Sequence, residues 1–338
     1  MKSVNELIQS KVLTIATLPM DNGSEIRASR YVVPLIEHDY PAKTPVMWNA
    51  AYRAFNLDVQ AVMLVGDADI ANTILAVLKQ DERYIGGGAG VGFKDEVLPH
   101  LDELDESARQ VGAVNFMLKT PQGNLCGYNT DGLGFAEGLQ ELFMRDGERI
   151  AGKKAVLLGA GGTGNAIAFA LAQKGMRLSI LNRTVEKAEH LAKKINEFST
   201  KKIAIAGSES DTIREVSDAH AIINVSTKGA SGAFEKYSAL APAMLPASPE
   251  HIGKNRAEAT SIMRALPKRA IVCDIVLGKK PTPLIEEATH WGFRTMDGIP
   301  MVINQGVEAF WILHGAELME KKITKARVRE VMKAAATS

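Results

Sequence analysis

The sequence has very little cysteine: two residues in 338, Cys126 and Cys273. Two widely separated thiols build neither a disulfide scaffold nor a zinc site, and the natural setting is a reducing, intracellular one. Charge of one sign is also missing. Forty Lys and Arg stand against 39 Asp and Glu, a net charge of +1, which removes the broad electrostatic case for nucleic acid or a membrane surface. No run reaches 18 apolar residues, so no membrane-spanning helix is expected. The opening MKSVNELIQSKVL lacks the apolar centre of a signal peptide. A cytoplasmic protein is expected, and the Asn-x-Ser/Thr triplets at Asn22, Asn182 and Asn224 are not expected to carry glycans. What is present is an ordinary globular composition, 46% hydrophobic and 23% charged.

The alternation of apolar runs and breaks predicts an α/β protein of two domains. In the first 130 residues Tyr31–Ile36 and AVMLV (61–65) read as strands, and a third ends near Ile85. Thr44-Pro45 reads as the N-cap and first turn of a helix ending near Asp58. Asp69–Gln80 is a second helix, and a helical stretch runs from Lys94 through LDELDESARQ. VGAVNFMLK is a strand, with turns at Pro121–Asn124 and Asp21–Ser24. The alternation restarts at KAVLLG (154–159). Helices Asn165–Lys174, stopped by Gly175, and Val185–Phe198 follow, with strands RLSILN, KIAIAG, AHAIINVS and RAIVCDIV and then the helix LIEEATHWG. Residues 229–266 read as irregular, and the chain ends in helices.

Two glycine-rich stretches compete as phosphate loops. GGGAGVGFKDE (86–96) fails, because Phe93 separates Gly92 from Lys94 and Asp95 comes next, where a P-loop has Gly-Lys-Ser/Thr. VLLGAGGTGNAIAFALAQKG fits better. Gly159, Gly161 and Gly164 give G-x-G-x-x-G between an apolar strand and a helix, the setting in which backbone N–H groups and a helix N-terminus receive a dinucleotide pyrophosphate. The next strand ends in Asn182-Arg183-Thr184 rather than in the acid that binds an NAD ribose, and Lys187 lies one turn on. A guanidinium with hydroxyl and amide donors suits a 2′-phosphate, so NADP is expected ahead of NAD.

GAGG (159–162), NRT (182–184) and INVST (223–227) resemble the cofactor half of the shikimate dehydrogenase family. FKDEV (93–97), GAVN (112–115), GYNTDGLGF (127–135), DIV (274–276), TPL (282–284) and DGIPMVINQGVEAF (297–310) continue the likeness in the family's order. The resemblance implies an N-terminal α/β substrate domain (1–131, with 302–338 returning to it) and a Rossmann NADP-binding domain (132–301), with the active site in the cleft between them. It implies a catalytic pair, Lys94 and Asp131. Lys94 can take the proton of a secondary alcohol if partial burial lowers its pKa from about 10.4 toward 7–8, a lowering that the charge of Asp131 opposes. It further implies substrate contacts from Thr44, Asn115 and Gln305. Cofactor contacts would come from Gly159, Gly161, Gly162, Gly164, Asn182, Arg183, Thr184, Lys187, Asn224, Ser226, Thr227, Gly298 and Met301. No metal is implied. The partner would be a small cyclic hydroxy acid, and the chain a monomer or homodimer.

The departures cluster on the substrate side. Where the family has Ser-x-Ser-Pro, this chain has Ala42-Lys43-Thr44-Pro45; where it has Asn-x-Thr-x-Pro before the lysine, this chain has Gly88, Gly90 and Gly92. Trp48 replaces a histidine, Phe116 a threonine and Leu277 a tyrosine. The expectation is the same reaction on a different or relaxed substrate. Gly88 and Gly90 would open space, Trp48 and Phe116 would add apolar surface, and Lys43, Arg27 or Arg30 would take a carboxylate. The alternatives are a non-catalytic NADP(H)-binding regulator on the same fold, or another two-domain enzyme of the methylene-tetrahydrofolate dehydrogenase kind.

Overall fold

A computed structural model describes residues 4–17, 25–278 and 280–337; the turn expected at Asp21–Ser24 lies outside them. The chain divides into two units, Met1–Gly134 with Val302–Ser338, and Phe135–Met301.

In the first unit, a six-stranded mixed sheet runs in the order Val59–Ala61, Arg30–Val32, Tyr84–Gly88, Phe116–Lys119, Leu125–Tyr128, Glu103–Leu104. A three-stranded sheet joins Leu13–Ile15, Leu64–Gly66 and Leu35–Ile36. Two segments expected as single strands are each split between these sheets. Pro34 has no N–H for a ladder, so 30–36 breaks there, and 59–66 breaks alongside it at Val62 and Met63. The stretch after Lys94 is also not one helix. It becomes two short α-helices, Phe93–Glu96 and Glu106–Val111, with a 3-10 turn at Leu98–His100 and a strand at Glu103–Leu104 between them. Thr44 is the first helical residue of Thr44–Ala54 rather than its cap, because Lys43 already has helical dihedrals.

The glycine run, expected as a loop, enters this sheet: Gly86, Gly87 and Gly88 are the end of an interior strand. Glycine inside a strand marks close backbone approach. Here a Cβ on Gly87 would overlap the Val33 carbonyl oxygen and lie 2.7 Å from the Val33 nitrogen.

The second unit is a parallel sheet in the order Ala204–Gly207, Arg177–Leu181, Lys154–Leu158, Ala221–Asn224, Ile271–Asp274, Arg294–Met296. Numbered along the chain this is 3-2-1-4-5-6, the doubly wound dinucleotide-binding order. Its strands are nearly continuous apolar runs, as a sheet covered on both faces requires. Ala155, Leu157, Ile180 and Ile223 bury one face, and Val156, Ile222 and Val272 the other. The segment expected as irregular contains a 17-residue helix, Pro249–Ala265. Ser248 caps it by accepting from the His251 N–H, and proline follows at the first position. Its buried stripe is only Asn255, Ala259, Ile262 and Met263, too weak a period to stand out.

Candidate functional site

In the first unit a group of polar side chains converges around Asp131, the first residue of helix Asp131–Met144. Lys94 Nζ donates to Asp131 Oδ2 at 2.5 Å. Asn115 Nδ2 donates to Asp131 Oδ1 at 2.8 Å and to Thr130 Oγ1 at 3.0 Å. Asn115 Oδ1 in turn accepts from the Thr130 N–H at 2.9 Å, and Gln305 Oε1 accepts from Thr130 Oγ1 at 3.4 Å. Both carboxylate oxygens of Asp131 are therefore occupied, which fixes the plane in which Lys94 is held. The backbone reinforces this: the Val114 N–H donates to the Lys94 carbonyl, and the Asn115 N–H to the Tyr128 carbonyl.

The Lys94 side chain keeps 35% exposure while that of Asp131 keeps 10%. Lys94 Nζ has one hydrogen-bond partner among the described residues, so further N–H bonds remain for a ligand. Burial alone would push its pKa down, as expected from the sequence. The charge of Asp131 and its hydrogen bond outweigh that, and the net direction is upward. Lys94 thus rests as an ammonium: of the two opposing effects expected from the sequence, the charge of Asp131 wins. Thr130 is the polar residue of this group that the sequence did not single out, though it stands in the NTDG motif itself. Thr44 is half-buried, and its hydroxyl has no partner among the described residues.

Two of the residues thought to reshape the pocket lie elsewhere. Trp48 and Phe116 are each 1% exposed and meet edge-to-face at 5.9 Å, with Trp48 also against Phe310 and donating to the Gly306 carbonyl. They form core, not pocket surface. Gly90 leaves no free volume, since a Cβ there would come within 2.7 Å of Ile36. Two of the cations suggested for a carboxylate are paired, Arg30 with Glu317 and Arg27 with Glu25; Lys43 makes one hydrogen bond, to the Ala336 carbonyl, and keeps further N–H bonds.

In the second unit a cavity of about 250 Å³ lies over the glycine turn, lined by Gly159, Gly161, Asn182, Arg183, Thr184, Lys187, Ser226 and Thr227 among others. Helix Gly162–Gln173 starts at the second residue of the G-G pair, not after Gly164 as expected, so its free N–H groups lie within the turn. A Cβ on Gly161 or Gly162 would meet nothing within 4 Å, which leaves the turn open to a pyrophosphate. Asn182 braces it, accepting from the Ala160 N–H and donating to the Thr184 carbonyl. Arg183 and Lys187 have no ion-pair partner among the described residues, and Thr184 makes no side-chain cap. The one lining carboxylate, Glu209, is paired with Lys228 at 2.9 Å. Unpaired cations with a neutralised acid fit a 2′-phosphate.

Three of the expected cofactor residues are held by contacts of their own. Asn224 is 0% exposed, and its carboxamide is spent on Asp274, the Lys228 carbonyl and Ser226. It shapes the turn and offers nothing to a ligand. Burial pushes the carboxyl of its partner Asp274 up to about 6 despite hydrogen bonds from Thr282, Val276 and Asn224. Gly298 is needed for packing, because a Cβ would lie 2.6 Å from the Ile275 carbonyl. Met301 is 8% exposed in the core of the second unit. Among the described residues no helix is long and apolar enough to cross a membrane.

Family models match a segment in each half of the chain. Residues 40–117 match the shikimate dehydrogenase substrate binding domain, and residues 141–235 match the shikimate / quinate 5-dehydrogenase family. A shikimate dehydrogenase (NADP(+)) of Magnetococcus marinus is 31% identical over 284 residues, 82% of this chain and 89% of that protein. A crystal structure of a shikimate dehydrogenase in complex with NADP+ superimposes with a TM-score of 0.71 at 29% identity, over 93% of this chain and 97% of the other. A ligand-free 5-ketofructose reductase of Gluconobacter sp. strain CHM43 follows at 0.68 and 27%, covering 90% and 98%.

Proposed function

We propose that this chain, which belongs to the shikimate dehydrogenase family, is an NADP-dependent dehydrogenase interconverting a cyclic secondary alcohol and its ketone, with Lys94 and Asp131 handling the proton. The observation that carries the reading is the Lys94–Asp131 hydrogen bond clamped by Asn115. NADP(H), when bound, supplies or accepts the hydride. In the direction of ketone reduction the Lys94 ammonium gives a proton to the oxygen that becomes the hydroxyl. The raised Lys94 pKa suits that role, since the acid is loaded at neutral pH. Asp131 holds the ammonium in place and is itself held by Asn115, so the donor is aimed before substrate arrives. In the oxidative direction Lys94 must first lose its proton.

The substrate class is a hydroxylated ring acid such as shikimate or quinate. A neutral polyhydroxy ketone is the second reading: Arg30 and Arg27, two of the cations suggested for a carboxylate, are paired with Glu317 and Glu25, and a 5-ketofructose reductase is among the structural relatives. An absorbance assay at the nicotinamide band with shikimate and quinate (NADP+) and 5-ketofructose (NADPH) separates these. Turnover of none of them would sink the reading.

The cofactor assignment has its own test. Arg183→Ser removes an unpaired guanidinium from the cavity and is expected to raise KM for NADP+ by about 10- to 100-fold, roughly 1.5–3 kcal/mol for a charge-assisted contact. KM for NAD+ should change less than threefold. Equal losses on both cofactors would mean that Arg183 supports the fold rather than the 2′-phosphate.

A further inference from the structure

The segment Leu35–Tyr40 runs alongside the stretch that delivers Lys94. The Gly90 N–H donates to the Leu35 carbonyl at 2.8 Å, the Glu37 N–H to the Val91 carbonyl at 3.0 Å, and the Phe93 N–H back to the Gly90 carbonyl. Tyr40 ends that segment. Its hydroxyl lies 3.6 Å from the position a Cβ would take on Gly90, four residues before the lysine. Tyr40 is 38% exposed, and its hydroxyl has no hydrogen-bond partner among the described residues. Its charge state is coupled to those of Lys94 and Asp131, and burial raises its pKa, so the phenol stays protonated and able to donate.

The backbone around Tyr40 is anchored from the N-terminal segment. Strand Leu13–Ile15 pairs antiparallel with Leu64–Gly66. Just beyond it, the Thr17 N–H and hydroxyl both donate to Asp39 Oδ2, at 2.8 and 2.5 Å. On the other side the Ala42 N–H donates to the Tyr40 carbonyl at 2.7 Å. A phenol held on both flanks, unpartnered and next to the proton-transfer pair, has the features of a ligand-binding group. The serine expected at position 42 is an alanine, so that hydroxyl is absent from the same loop.

We propose that Tyr40 determines substrate specificity, its hydroxyl donating a hydrogen bond to the ring or chain hydroxyl next to the carbon that is oxidised or reduced. The proposal rests on the reading of Lys94 and Asp131 given above. The phenol feels the charges of both Lys94 and Asp131, so it lies within range of a substrate held by that pair. The N-terminal segment, through Thr17 and Asp39, positions it.

The test uses Tyr40→Phe, which keeps the ring and removes the donor. The substrate is whichever of shikimate, quinate and 5-ketofructose the wild type turns over fastest, compared with its analogue lacking the neighbouring hydroxyl. Tyr40→Phe is expected to lower kcat/KM on the full substrate about tenfold and to leave the deoxy analogue within twofold of wild type. Equal effects on both, or on neither, overturn the proposal. Lys94→Ala is run alongside. If it is inactive while Tyr40→Phe is indifferent to the hydroxyl, the Tyr40 assignment fails and the reading of the site stands. If Lys94→Ala retains full activity, the reading fails and the Tyr40 assignment with it.

Discussion

Lys94→Ala is expected to reduce kcat/KM by about 10²–10⁴-fold, the usual contribution of a positioned general acid, equivalent to roughly 3–5 kcal/mol of transition-state stabilisation. NADP+ binding should be unaffected, since Lys94 is not among the residues lining the cavity over the glycine turn. The pH dependence follows from the direction of the Lys94 shift. Its pKa is held above the ordinary lysine value by Asp131, so across neutral pH the ammonium predominates. On the proposed reading, alcohol oxidation needs the neutral amine. Its kcat/KM should therefore climb about tenfold per pH unit through pH 7–9, while ketone reduction stays level there. In Asp131→Asn the opposing charge is gone and burial acts alone, so the climb should move to lower pH. An oxidation rate already level at pH 8 in the wild type would exclude Lys94 as the base. The same raised pKa stabilises the folded state below the ordinary lysine value, and that contribution is lost as pH rises through the folded-state value.

The upward shift at Lys94 is the reverse of what burial alone suggests, and the reason shows where a sequence stops being informative. FKDE and NTDG identify a lysine and an aspartate, but the sign of the lysine's shift depends on whether a 2.5 Å contact exists. Spacing does not specify a distance. The parallel sheet is easier to read. KAVLLG, RLSILN and AHAIINVS are buried on both faces, and each gives a continuous apolar run with glycine or polar punctuation. The helix Pro249–Ala265 escapes the apolar period because its buried face includes Asn255 and two small or flexible residues, although Ser248-Pro249-Glu250 is a sound start signal. Trp48 and Phe116 suggest pocket surface because they replace polar residues. Depth is a tertiary property, and the two rings pack on each other in the core. Asn224 misleads for a related reason: a motif residue can be needed for its turn rather than for the ligand. Tyr40 has no motif to mark it. It becomes visible only once Leu35–Tyr40 is seen to lie along Gly90–Phe93.

Gly87→Ala is expected to destabilise the first unit strongly for the addition of a single methyl group. The strand Tyr84–Gly88 sits between Arg30–Val32 and Phe116–Lys119, so neither flank is open to solvent on the ladder side. The new methyl would overlap the Val33 carbonyl, with the Val33 nitrogen 2.7 Å away. These are backbone atoms, so no rotamer change relieves the clash, and the strand must move. The expected loss is about 3 kcal/mol or more, at the upper end of overpacking effects. The unfolding midpoint should fall by roughly 2–4 °C per kcal/mol for a unit of this size. Gly253→Ala is the matched control. Gly253 lies inside helix Pro249–Ala265, and a Cβ there meets nothing within 4 Å, so the change should stabilise by about 1 kcal/mol through helix propensity. If both variants shifted the midpoint by less than a degree, glycine at 87 would not be a packing requirement. The run GGGAGVG would then have to be explained by the substrate side alone. If the contrast holds, the glycines have two separate causes. Gly87 lets the Tyr84–Gly88 strand pass close to Val33, and Gly90 makes room for Ile36 beneath the Tyr40 hydroxyl. The first is required by the sheet that supports Lys94, and the second leaves the phenol next to it.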